Sequence, residues 1–169
     1  MADTATYDLL GSLSLAGVKT GTFTSISGSY TDLKVVFTGT SSNGGVGFRF
    51  NGDTATNYSA TLLRGNSAAA QSTNWINKTY LPSFGDSGAG LIQKSVEILD
   101  IFSYASSSYK ATLQSISADD NGANQGFAGA MAGLWRSTSA ITSVTVYKPS
   151  GANNFDTGAT AYLYGIKAA

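Results

Sequence analysis

The chain has 169 residues, of which 12% are charged, and its ten Lys plus Arg balance its ten Asp plus Glu. With no net field to steer it onto nucleic acid or an acidic membrane, neither is expected as a partner. Cys and His are both absent, which excludes disulfides, thiol chemistry, zinc sites of the usual kind and the side chain most often used for acid–base work near neutrality.

A chain of this length fits one domain able to bury a sizeable core without staples. Twenty glycines among abundant Ser, Thr and Asn suit many turns better than long helices. The start, MADTATYDLL, lacks a basic stretch followed by an apolar run, so no secretory signal is expected. No segment approaches the ~20 apolar residues of a membrane span.

Residues 1–6 read as a flexible arm and 7–169 as a single domain. Tyr7 to Leu15 and Thr22 to Ile26 have the short extended pattern of strands, punctuated by Gly17 and Gly21. Thr31 to Thr38 places Leu33, Val35 and Phe37 on one face, with Val36 on the other. This period of two predicts a central strand. Val46, Phe48 and Phe50 alternate with Gly47 and Arg49, a half-buried strand that runs into Asn51-Gly52. Both turn residues tolerate positive φ, and Asn-Gly between extended segments is a strong hairpin signal. Tyr58 to Leu63 is therefore the expected pairing partner, and Phe48 to Ser59 a strand-and-corner unit.

Trp75 to Leu81 reads as a strand stopped by Pro82, followed by an exposed excursion from Ser83 to Gly90. In Ile92 to Phe102 the apolar phase shifts between Val96/Ile98 and Leu99/Ile101, which predicts a bulge or a strand buried on both faces. Tyr109 to Ser117, Phe127 to Trp135, Ile141 to Tyr147 and Ala159 to Lys167 complete about ten strands. The fold class expected is all-β, an antiparallel β-sandwich of jelly-roll-like form.

The sequence carries no catalytic constellation that stands up. Ser107-Ser108-Tyr109-Lys110 and Lys19-Thr20-Gly21 match pieces of serine–lysine active sites, but in reversed order and in turns. Glu97, Asp53, Asp86, Asp119, Asp120 and Asp156 are the carboxylates that a glycosidase would need to pair. Asp119, Asp120 and Asn121 lack calcium-loop spacing. No enzyme activity, cofactor or metal is expected. Trp75, Trp135, Tyr147, Tyr162 and Tyr164 are candidates for a sugar-stacking platform, with core packing the stronger expectation for the tryptophans.

Arg49-Phe50-Asn51-Gly52-Asp53 followed by Asn57-Tyr58-Ser59, together with Gly133-Leu134-Trp135 and the terminal Ala159-Thr160-Ala161-Tyr162-Leu163-Tyr164-Gly165-Ile166, resembles small virion-associated proteins of tailed bacteriophages. The terminal stretch is similar to that family's A-T-L-Y-G-I element with one residue added, at Tyr162. The resemblance implies a structural protein of the virion, made in the host cytoplasm and placed on the capsid surface. A cement or decoration protein is favoured, expected as a homotrimer binding the major capsid protein. The alternative is a head- or tail-fibre module that binds a receptor or carbohydrate. The candidate capsid-contact arm is Met1, Ala2, Asp3, Thr4, Ala5 and Thr6. The candidate exposed contact loops are Asn51, Gly52, Asp53 and Thr54, and Ser83, Phe84, Gly85 and Asp86.

Overall fold

The computed structural model describes residues 6–41, 45–66, 69–83, 91–118, 126–149 and 154–167. These form eleven strands: β1 (Tyr7–Ser14), β2 (Thr20–Phe23), β3 (Asp32–Ser41), β4 (Gly47–Phe50), β5 (Tyr58–Asn66), β6 (Ala70–Lys78), β7 (Leu91–Ile101), β8 (Lys110–Ala118), β9 (Phe127–Trp135), β10 (Val144–Tyr147) and β11 (Thr160–Ile166). The expected all-β sandwich is present, and its two sheets are unequal. Eight strands run in the order β1-β11-β3-β7-β8-β9-β5-β6, and three in the order β2-β10-β4. Every named strand pair is antiparallel.

Strands of the small sheet are interleaved along the chain with strands of the large one, so the backbone crosses between layers at β2, β4 and β10. The inner faces meet in one apolar core. Leu33, Val35 and Phe37 of β3, Phe48 and Phe50 of β4, Leu62 of β5, Leu99 and Ile101 of β7, Val144 and Val146 of β10, and Leu163 of β11 are all buried. Period-two alternation is what commits each strand to this arrangement, because a one-residue slip would turn its whole apolar set outward. β3 lies inside the large sheet, as its pattern predicts, and Val36 points away from the core.

Two strands differ from expectation in a way that matters for function. β7 pairs continuously with β8 from Ser95 to Ile101, and its irregularity lies before that stretch, where its register against β3 shifts between Leu91 and Ser95. Its apolar residues are instead divided between faces, with Leu99 and Ile101 inside and Val96 41% exposed outside. The strand expected from Trp75 to Leu81 begins earlier, at Ala70, and Leu81 makes an isolated bridge to Phe48.

The terminal element owes its glycine to a close approach. A Cβ on Gly165 would sit 2.5 Å from the ring of Tyr30, whose hydroxyl donates to Asp8 Oδ2 at 3.1 Å and whose backbone N–H donates to Tyr104 Oη at 3.3 Å. Asp8 also pairs with Lys167 at 2.6 Å. Gly165→Ala must push Tyr30 off this seat, so a loss of about 1–3 kcal/mol is expected. Urea unfolding measures it, and an unchanged midpoint would mean that Tyr30 has room to move.

Candidate contact surface

The corner between β4 and β5 is built around its own sequence. Asn51 (φ 52°) and Gly52 (φ 67°) supply two successive left-handed residues, and Asp53 N–H donates to Phe50 O at 2.9 Å. This is the primed turn that Asn-Gly favours. It does not close a hairpin, however: β4 pairs with β10, whereas β5 pairs with β9 and β6. The turn carries the chain from the small sheet to the large one. Asn51 Oδ1 accepts from the backbone N–H groups of Thr142 at 2.8 Å and Ser143 at 3.1 Å, and its Nδ2 donates to Ala140 O at 2.8 Å.

Asp53 is half-buried rather than displayed. Its carboxylate accepts from Trp135 Nε1 at 2.7 Å, Asn57 Nδ2 at 2.8 Å and the Ala55 N–H at 2.8 Å. Burial by itself would raise its pKa; the hydrogen bonds from Asn57, Trp135 and Ala55 outweigh it and hold the carboxyl below its ordinary value. Beneath lie Phe50, Tyr58 and Trp135, with Phe50 edge-on to Trp135 at 5.5 Å and Tyr58 stacked on it at 6.3 Å. A solvated contact role is thus corrected for Asp53, because its charge is used inside the corner. Gly52 and Thr54 are exposed, as is Asn51 despite its bonds.

Ser83 is also a correction. It is fully buried, and its Oγ accepts from the Val46 N–H at 3.2 Å. Pro82 and Ser83 fold inward because Leu81 pairs with Phe48, drawing the following residues under the sheet. Thr6, expected in the arm, is tied down, its carbonyl accepting from Lys167 N–H at 3.0 Å. The remaining candidates Met1 to Ala5 and Phe84 to Asp86, and the Asp119-Asp120-Asn121 group, lie outside the described residues.

Of the aromatic candidates, Trp135 and Tyr147 are buried and Trp75 packs partly against the core. Tyr162 and Tyr164 alone stand together, half-buried on the outer face of β11. Lys110 of the serine–lysine lookalike is buried, and its Nζ donates to the backbone carbonyls of Ser106 and Ser108, closing the turn before β8. Two clefts, of about 270 Å³ beside Phe23, Ile26 and Tyr30 and about 560 Å³ above Leu63, Gly65 and Ala70, carry no carboxylate in their linings. Among the described residues no group of three or more His, Cys, Asp or Glu is placed to hold a metal.

The interior holds polar groups that composition alone did not reveal. Glu97 on β7 and Thr112 and Gln114 on β8 point inward, with Glu97 and Gln114 fully buried. Gln114 Nε2 donates to Pro82 O at 3.2 Å. Gln114 Oε1, Thr112 Oγ1 and both carboxyl oxygens of Glu97 have no hydrogen-bond partner among the described residues. Burial pushes Glu97 up to about 8; the facing Ser83 hydroxyl offsets part of the rise without closing a hydrogen bond.

The converse holds on the outer face of the large sheet. Three rows of paired positions run through all eight strands. One is Leu9, Tyr164, Lys34, Asp100, Leu113, Ala132, Thr61 and Asn74; the others pass through Tyr162, Val36 and Ile98, and through Thr38 and Val96. Lys34 and Asp100 are the only charged residues in these rows, and they form an ion pair with each other. Leu9 (58% exposed), Leu63 (63%), Val96 (41%) and Leu113 (42%) stand on this face. It is a broad, nearly uncharged surface with large apolar side chains in water.

Comparison with known proteins adds no identity: no protein-family model, curated protein or solved structure matches the chain.

Proposed function

We propose that this chain is a structural protein of a bacteriophage virion, a cement protein that lies on the shell and strengthens contacts between capsomers. The observation that carries this reading is the divided patterning of β7 and β8. Val96, Ile98 and Leu113 face outward while Glu97, Thr112 and Gln114 face inward. For a sheet whose outer face stayed wet, apolar side chains left outside and unpaired polar atoms inside are both unfavourable. The arrangement makes sense when the outer face is covered, and the proposed cover is the major capsid protein. Neutral charge suits close packing of many copies, and weak contacts repeated over a shell add up through multivalency.

Tyr162 and Tyr164, adjacent on the outer face of β11, favour a second reading, a fibre module whose rings stack on a sugar. Copy number separates the two. Cement predicts hundreds of copies per purified particle and particles that lose resistance to heat and low salt without it. A few dozen copies at the tail, or equal robustness without the protein, would refute reinforcement. Leu113→Asp is expected to leave the domain folded and abolish occupancy of the shell; full occupancy would show that this face is not the one that binds.

A further inference from the structure

The large sheet ends in two edge strands, and they are treated differently. At the β1 edge the register breaks between Leu9 and Gly11, and Asp8 is engaged by Lys167 and Tyr30. A bulge and a charge are the devices by which proteins prevent edges from pairing. In the small sheet, β4 is capped by Leu81, with hydrogen bonds in both directions between Phe48 and Leu81 at 3.1 Å and 2.9 Å. β2 is only four residues long. β6 has none of this protection over most of its length. From Ala70 to Asn77 it contains no charged residue and no proline, and no described strand pairs with its outer edge. Only near its end does the register break, opposite Tyr58 and Ala60, with Asn77 at φ 53°.

We infer that β6 is a pairing edge and that its occupant is a second copy of this chain, joined antiparallel through β6 about a two-fold axis. The charge pattern selects a like strand. Any antiparallel register over Ala70 to Ile76 opposes only small, hydroxyl, amide and apolar side chains, so two identical edges meet without repulsion. The contact is isologous and closes at two copies. Continuation from β6 onto β1 of a neighbour, as a three-fold ring would need, meets the bulge and Asp8 instead. The seam also continues an exposed apolar surface: Leu63 (63%) and Ile76 (66%) are the most exposed large apolar side chains described, and they lie on β5 and β6. A two-fold axis perpendicular to the sheet keeps both outer faces on one side, so the pair presents a single continuous face. The pairing itself does not depend on what that face binds.

Sedimentation velocity on the full chain over a concentration series tests this, together with hydrogen exchange at the β6 amides. A monomer–dimer equilibrium is expected, with protection of the Ala70 to Asn77 amides rising with concentration. Asn74→Lys, on the exposed edge, should weaken dimerisation at least tenfold while leaving the melting temperature near that of the parent. Asn74→Glu should do the same, and an equimolar mixture of the two should pair again. Leu9→Lys on β1 should leave dimerisation unchanged. A chain that stays monomeric throughout, a trimer, or a dimer indifferent to Asn74→Lys would overturn the proposal. A parent chain that dimerises yet does not bind shells would count against the virion role alone.

Discussion

Glu97→Gln raises the melting temperature at neutral pH and removes much of the fall in stability between about pH 5 and pH 8. The reason is the fully buried carboxyl on β7, which has no hydrogen-bond partner among the described residues and whose pKa burial lifts from 4.5 to about 8. An unfolded chain releases that proton near its ordinary value, whereas the folded chain retains it. The contribution to stability is therefore full below about pH 4.5 and is lost progressively as pH rises through about 8. By pH 7 the unfolded state has gained about 3 kcal/mol from ionisation that the folded state does not share. Glutamine is neutral and similar in shape, so it avoids this loss, and a rise on the order of 5–10 °C is expected. Thermal melts of both chains across that pH range measure it. A variant that melts lower, or that keeps the parent's slope, would show that Glu97 is held by contacts which compensate its charge.

Asp53→Ala is the largest expected loss in the corner, about 2–4 kcal/mol, because it strips three donors of one shared acceptor. Trp135 Nε1, Asn57 Nδ2 and the Ala55 N–H all lose their bond, and the tryptophan sits beside Phe50 and Tyr58 at the junction of the sheets. Tryptophan fluorescence and urea unfolding read the effect, with Asp53→Asn expected to restore part of it. Its pH dependence has the sign opposite to that of Glu97. The folded pKa is depressed, so this contribution is present above the ordinary carboxylate value and fades as pH falls through the lowered one. Equal stability of Asp53→Ala and the parent would reduce the corner to a passive turn.

Both residues show how far local pattern reaches. The Phe48 to Ser59 stretch was legible as strand, turn and strand, since alternation and an Asn-Gly pair act within a few residues. Its hairpin was not real, because the partner of β4 is β10, nearly a hundred residues away. Asp53 read as a loop residue because nothing nearby in sequence announces Trp135, whose indole meets it 82 positions later. Local composition places Ser83 in an exposed loop; the Leu81–Phe48 bridge that draws it inward is a tertiary contact.

The amino-acid sequence by itself determined the all-β class, most strand positions, the phase of β3 and the inward set Val46, Phe48 and Phe50. These follow from side-chain alternation and turn chemistry, which are properties of neighbours along the chain. The tertiary structure alone decided which sheet each strand joined, and which face of β7 and β8 turned inward. In KATLQSISA the apolar Leu113 favours one phase and Ile116 the other, so local hydrophobicity is divided. Pairing of β7 with β3 and β8 settles the phase for Leu99 and Ile101, carrying Glu97 into the core and leaving Val96 and Leu113 outside. Register is shared across a sheet, so a strand with a divided pattern takes its facing from its neighbours.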